Sequence, residues 1–318
     1  MSSLVDSDSS ARLARIAEGV FRIADPKITL ASVASMVVGA AFAAAAGPIA
    51  WGWLALTVLG VFFVEAAKNA SGELFDWDSG TDQAVAPHER TPFSGGKRVI
   101  VDGLLTRSET ALVAAVFYLL ATVVGLWIVV AREPMVLGLA LVGVALAYFY
   151  HAPPLALAYR GLGELAVAVS YGPLIASGTY LVQRGAVDGP VLAASIPLGL
   201  AIMAFLWINE LPDSRADALA GKRTLVVRLG PKLAAEAFFS LWVAAAAVIA
   251  VLPAFGLPAT LWLGLVGLPL GLRAASRFRA TANHTDPKAM QDIIPAQAWT
   301  LIAFLLMAVG LSLGALIG

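Results

Sequence analysis

The stretch Lys68–Asp82 reads KNASGELFDWDSGTD. It continues a mostly apolar run, Trp51–Ala67, interrupted by Glu65, and then sets Glu73, Asp76, Asp78 and Asp82 within ten residues. The run has the length and apolarity of a bilayer-crossing helix, so the acids arrive at the end of a membrane span. A charge at membrane depth costs roughly 2.5–3.5 kcal/mol on insertion scales, which makes such residues functional-site candidates. On a helix, Asn69, Glu73 and Asp76 fall at i, i+4 and i+7 and share one face. Gly80 stands where the helix would end, so the chain turns and Asp82 comes back toward the same site. Asp78 lies two steps from Asp76, each step about 100° round the helix, and is expected in solvent. Carboxylates this crowded repel unless a cation joins them. Mg²⁺ binds through one or two carboxylates together with substrate phosphates.

The rest of the chain fits that opening. Of 318 residues, 59% are hydrophobic and only 13% charged, with a mean hydropathy of +0.83. Ordinary globular chains are about 25% charged. An all-α, polytopic membrane protein follows, with the lipid bilayer as its solvent. Lys plus Arg equals Asp plus Glu at 21 each, so no global field points to nucleic acid. No cysteine is present, which excludes thiolate chemistry, disulfides and Cys-ligated metals. Residues 1–27 are polar and charged, without a signal peptide's apolar core. Residues 1–10 read as disordered, and Arg12–Arg22 as a short interfacial helix with Leu13, Ile16, Val20 and Phe21 inward. Apolar runs predict nine spans: Ile28–Ala46, Trp51–Phe75, Glu109–Val130, Pro134–Tyr150, Gly163–Val182, Val191–Ile208, Lys232–Leu252, Leu257–Leu272 and Ile294–Ile317. Eighteen of the 21 basic residues then fall on one side; Arg132 and Arg184 fall on the other, and Lys68 within a span. By the positive-inside rule the N-terminus and the long polar loops are cytoplasmic in a cell (inner) membrane. Residues 28–318 thus form one nine-helix domain behind a cytoplasmic N-terminal segment, with no obligate protein partner.

A second acidic stretch, NELPDSRADALAGKRTLVVRLG, occupies Asn209–Gly230. Its Glu210-Leu-Pro-Asp213 matches Glu73-Leu-Phe-Asp76 at an offset of 137 residues, on the same predicted side, as a degenerate internal repeat. Asp213 and Asp217 are i, i+4. Two acid clusters facing each other across a bundle suit Mg²⁺ and, through it, one diphosphate. Arg90, Lys97 and Arg98 follow the first cluster, and Lys222, Arg223 and Arg228 the second. They are candidates to pair diphosphate oxygens, as well as ordinary cytoplasmic loop charge. Tyr148, Tyr150 and Tyr159 lie round the mouth of the fourth span. Aromatic faces there stabilise an allylic cation by roughly 0.5–2 kcal/mol, and tyrosines there equally form an interfacial belt. Trp207 reads as core or as tunnel lining. Glu164 reads as a buried polar partner or as an acceptor contact. His88, His151 and His284 have no partner at ligand spacing and read as loop histidines.

These motifs resemble the UbiA superfamily of intramembrane prenyltransferases. DSRADALAGKRTLVVRLG is similar to that family's DxxxD followed by AGKRTLAVRLG. The first motif resembles the NDxxDxxxxGxD form of the 1,4-dihydroxy-2-naphthoate polyprenyltransferase branch. Pro26-Lys27, PLALAYRGLGE (Pro154–Glu164), YGPLIASGTYLV (Tyr171–Val182) and IIPAQAWT (Ile293–Thr300) match the same branch, so the likeness covers most of residues 22–318. The resemblance implies nine helices around a central cavity and Mg²⁺-dependent transfer of a polyprenyl group from prenyl diphosphate to an aromatic acceptor, menaquinone type first. It implies Asp76, Asp82, Asp213 and Asp217 as metal ligands, with Glu73 and Asn209 assisting, and Lys97 and Arg90 on diphosphate or acceptor. The chain departs where the family's Asn-Asp pair is Gly72-Glu73, with Asn69 one turn earlier as a replacement amide, and where the usual Arg before Pro26 is Asp25. Other acceptors (hydroxybenzoate, homogentisate, a chlorophyllide, a glycerol-phosphate lipid) and terpene cyclisation remain open on the same fold. A transporter fits less well, because transporter sites sit at the midplane.

Overall fold

The computed structural model describes residues 2–282 and 291–318, with side chains from residue 11 onward except 26–28. His284 lies outside the described residues. Regular structure among them is helical throughout, apart from one bridge between Thr91 and Ser94. The helices are α1 (Ser2–Ala24), α2 (Pro26–Ala45), α3 (Trp51–Ser79), α4 (Thr81–Ala84), α5 (Arg107–Ala131), α6 (Val136–Phe149), α7 (Gly163–Val169), α8 (Ile175–Arg184), α9 (Gly189–Leu219), α10 (Leu225–Val251), α11 (Leu268–Ala282) and α12 (Ile294–Ile317).

Seven described segments are long and apolar enough to cross a membrane: α3, α5, α7 with α8, α9, α10 with its C-terminal extension to Phe255, Ala259–Ala282, and Gln291–Ile317. An eighth arises if Ala11–Ala24 and Thr29–Ala45, bent by 49°, count as one. All nine predicted spans fall on helix, but α6 has only 14 residues. At 1.5 Å per residue it rises about 21 Å, short of the roughly 30 Å hydrocarbon core. α1 also takes in residues 2–10, read as disordered from their Ser and Asp content. Backbone hydrogen bonds of a helix need no apolar side chain, so polar composition does not forbid one.

Burial ranks the helices. In α9, 67% of the most apolar window is buried, against 22% in α3 and 17% in α5. α9 therefore forms the axis, packed against α2, α7, α8, α10 and α12. Close approach is secured by small residues, as in other membrane bundles. A Cβ on Gly199 would stand 2.4 Å from the Ala168 carbonyl oxygen, and one on Gly172 2.8 Å from the Gly199 Cα. Trp242, Phe238, Phe278 and Phe304 are fully buried beside the axis. α5 instead leaves Leu112, Leu119, Val123, Trp127 and Val130 exposed, the apolar face a lipid-facing helix presents.

α1 docks on the side that carries the acidic motifs. Ile23 is fully buried, and Arg15 bonds the Leu104 carbonyl and Glu109. Leu13 and Phe21, read as inward, stay exposed while Gly19 and Ile23 face the protein. The exposed Leu13 and Phe21 are the apolar side chains available to a membrane surface, on the side of α1 away from Gly19 and Ile23.

Candidate active site

α3 runs on past Phe75 and stops at Ser79, where Gly80 adopts φ +81 and closes the helix through its N–H to the Trp77 carbonyl. One turn of α4 then brings Asp82 back, only 3% exposed. α9 likewise runs to Leu219, so Asp213 and Asp217 lie on its last turns. α4 packs on α9, which sets the two acidic ends side by side.

Lys222 stands between them. Its Nζ is 3.7 Å from Asp76 Oδ2, 3.6 Å from Asp217 Oδ1 and 5.9 Å from the centre of the Tyr159 ring. The two acids hold the ammonium charged despite its burial. Tyr159 donates its hydroxyl to Asp76 Oδ1 at 2.9 Å, and burial pushes its own ionisation up. Asp213 Oδ2 accepts the Gly95 N–H at 3.1 Å, while its Oδ1 is buried without a partner. Asn209 Oδ1 and Glu210 Oε2 are orphaned in the same way. Burial, with Glu73 and Asp76 close by, pushes Asp82 up to about 8. Such a set of unpaired buried oxygens is a site short of positive charge.

Residues 85–98 roof this space. Glu73 accepts the N–H groups of Lys97 (3.1 Å), Arg98 (3.2 Å) and Val99 (2.9 Å) through its two oxygens. Arg215 pairs with Glu89 and donates to the Ala84 carbonyl, and Gln291 donates to the carbonyls of His88 and Arg90. Beneath lies a cavity of about 590 Å³ lined by Arg90, Lys97, Arg98, Asn209, Asp213 and Lys222, among others. A second, apolar cavity of about 210 Å³ runs between α3, α5, α6 and α8, past Val61, Val64, Leu139 and Ile175. Tyr150 lines both, with Lys68 Nζ 5.6 Å from its ring centre.

The structure therefore gathers Asp76, Asp82, Asp213, Asp217, Arg90, Lys97, Arg98, Tyr150, Tyr159, Asn209 and Lys222 at one end of the bundle, and it redirects others. Glu73, expected at the metal, gives its oxygens to the roof. Tyr148 is 44% exposed and packs edge-on to Tyr118, because it lies two helical steps from Tyr150 and faces the opposite way. Asn69, expected as a replacement amide, donates to the Ile23 carbonyl at 2.9 Å and ties α1 to α3. Arg223 is exposed, with its backbone N–H on the Tyr159 carbonyl. Glu164 is fully buried and accepts the Leu225 N–H at the start of α10, outside both cavity linings. Trp207 is core, bonded to the Ala234 carbonyl. Asp78 pairs with Arg107 at the surface.

Two residues were missed. Asp25, seen only as a departure, holds Lys97 Nζ at 2.8 Å. His151, read as a loop residue, is buried with Nε2 3.8 Å from Asp76 Oδ2, and burial brings its pKa down to about 4. The signal for it was Gly72: a Cβ there would stand 2.7 Å from the His151 ring.

Comparison with known proteins agrees with this architecture. The sequence profile described as the UbiA prenyltransferase family matches residues 32–301. A Mycobacterium tuberculosis 1,4-dihydroxy-2-naphthoate octaprenyltransferase is 30% identical over 293 residues, covering 91% of this chain and 94% of that one. A Haemophilus influenzae protein of the same name is 28% identical over 304 residues, covering 93% and 94%. Among solved structures, an Aeropyrum pernix UbiA homologue superposes with a TM-score of 0.65 at 18% identity over 93% of this chain and 97% of that one. An Archaeoglobus fulgidus UbiA homologue bound to GPP and Mg²⁺ gives 0.59 at 16% over 92% and 99%.

Proposed function

The chain belongs to the UbiA prenyltransferase family, and we propose that it transfers a polyprenyl group from prenyl diphosphate to 1,4-dihydroxy-2-naphthoate, as a menaquinone-pathway enzyme. Nine spans with a cytoplasmic N-terminus and a site opening to the cytoplasm belong to the same proposal. The observation that carries it is the pairing of two acidic helix ends, Asp76–Asp82 and Asp213–Asp217, across Lys222 beneath a roof bearing Arg90 and Lys97. The naphthoate acceptor is supported by the naphthoate octaprenyltransferases that align along almost the whole chain.

Mg²⁺ fits these residues. Among the described residues no three His, Asp or Glu side chains converge tightly enough to enclose an ion alone. That suits a cation which keeps waters and substrate phosphates as ligands. Asp76, Asp82, Asp213 and Asp217 would hold it, and the orphaned oxygens of Asp213 and Asn209 mark where charge is wanting. Bound Mg²⁺ would neutralise the diphosphate as it leaves. Lys222, Lys97 and Arg90 pair the remaining phosphate oxygens. The prenyl tail lies in the apolar cavity, which excludes water from the allylic carbon. Tyr150 presents its aromatic ring at the boundary of the two cavities, where the cation develops, while Tyr159 holds Asp76 through its hydroxyl. The C–O bond to diphosphate breaks, the electron-rich aromatic carbon bonds the allylic carbon, and a proton or CO₂ leaves the ring. Purified protein given a polyprenyl diphosphate, Mg²⁺ and a panel of aromatic acceptors tests this. Prenylated naphthoate product is expected. Transfer confined to another acceptor, or cyclised terpene alone, overturns the reading.

A further inference from the structure

Gly72 and His151 act as one unit. Gly72 lies on α3 one turn before Asp76. The space its missing Cβ leaves is filled by the His151 ring, whose Cε1 would be only 2.7 Å and Nδ1 3.0 Å from that Cβ. The ring is largely enclosed, its side chain 11% exposed and its Nδ1 buried. A buried histidine kept for packing is ordinarily hydrogen-bonded at its ring nitrogens. Here Nδ1 has no partner, and Nε2 faces Asp76 Oδ2 at 3.8 Å. The one polar group the imidazole addresses is thus an acid of the diphosphate site.

We infer that His151 is a nitrogen ligand of the divalent-cation site, paired with Asp76 and admitted by Gly72. The inference rests on the two-acid reading proposed above and adds a donor to it. Two ligands each about 2.1 Å from one ion stand about 3.0 Å apart when adjacent on an octahedron and about 4.2 Å when opposite. The Asp76–His151 separation of 3.8 Å lies between the two, so Oδ2 and Nε2 reach the adjacent arrangement by closing about 0.8 Å. Asp76 Oδ1 is held by Tyr159, and Oδ2 lies between the imidazole at 3.8 Å and the Lys222 ammonium at 3.7 Å, which the ion displaces from that oxygen. Diphosphate oxygens and waters complete the shell. Imidazole shifts the ligand set from purely hard oxygen toward metals that accept nitrogen, so Mn²⁺, Fe²⁺ and Co²⁺ are favoured over Mg²⁺ relative to an all-oxygen site.

The test is electron spin-echo envelope modulation on the full-length protein in detergent or nanodiscs, its affinity tag removed, loaded with Mn²⁺ and inorganic diphosphate. Imidazole ¹⁴N modulation is expected in the parent protein. His151→Gln is expected to keep bound Mn²⁺ at about tenfold lower affinity and to lose the modulation. Gly72→Asn, which refills the cradle, is expected to lose it too. Bound Mn²⁺ without ¹⁴N modulation in the parent protein overturns the role of His151 and leaves the acid motifs standing. Modulation that persists in His151→Gln does the same. Failure of the parent protein to bind Mn²⁺ at all removes both readings.

Discussion

Glu73→Gln separates a loop-holding residue from a metal ligand. The carboxylate accepts three backbone N–H groups, from Lys97, Arg98 and Val99, at 2.9–3.2 Å. Hydrogen bonds to a charged acceptor contribute about 1.5–3 kcal/mol each, and neutral ones about 1 kcal/mol. Glutamine keeps one oxygen, sufficient for Lys97 and Arg98, but sets an NH₂ against the Val99 N–H. Losing the charge on two bonds and the whole of the third gives about 3 kcal/mol, or roughly a hundredfold in a local opening constant. The damage centres on the roof, because all three lost or weakened bonds end on the backbone of residues 97–99. Hydrogen exchange followed by mass spectrometry is expected to show peptides spanning 95–101 exchanging about a hundredfold faster, with α9 unchanged. Prenyl diphosphate KM is expected to rise as Arg90 and Lys97 lose their fixed positions. Unchanged exchange in that peptide, with loss of Mn²⁺ binding, would falsify the loop-holding role and return Glu73 to the metal.

Asp76→Ala or Asp213→Ala is expected to lower diphosphate release by at least about 100-fold while the thermal midpoint stays within a few degrees of the parent; turnover retained in both variants ends the two-acid site. Gly72→Asn pushes a side chain into the His151 ring, so overpacking costs about 2 kcal/mol and a measurable fall in thermal midpoint is expected; an unchanged midpoint shows the ring moves aside freely. Burial works to raise the Glu89 carboxyl, but Arg215 and the Ala86 N–H hold it below the usual range. A depressed acid stabilises above its unfolded value of about 4.3 and loses that contribution as pH falls through its folded value. Arg215→Met is expected to remove this acid-side component, read as the pH dependence of hydrogen exchange in residues 85–92; an unaltered profile shows the pair does not pin the roof.

The chain's order of spans is legible because a bilayer asks for one thing, an apolar run of sufficient length, and seven described segments supply it, eight if the bent pair Ala11–Ala24 with Thr29–Ala45 counts as one. α6 reads equally well as sequence but, at 14 residues, rises too little to cross alone. The acidic motifs are legible because helix spacing fixes which acids share a face and Gly80 can end the helix at φ +81. Angular position within one turn is less so: Tyr148 and Tyr150 share a composition signal, yet their sides of α6 differ. Contacts across the bundle are not legible at all. His151 meets Asp76, and Asp25 meets Lys97, through packing that no spacing encodes.

The cation that balances the first acidic end comes late in synthesis. Asp76 and Asp82 are made with the second span, but Lys222, the ammonium between Asp76 and Asp217, follows Asp76 by 146 residues. At about 5–20 residues per second the ribosome needs roughly 7–30 s to reach it. During that interval the first acidic helix end waits at the membrane surface with neither α9 nor Lys222 beside it. A chain that stalls or is cut before residue 222 therefore presents an unneutralised acid pair beside an unpacked helix groove.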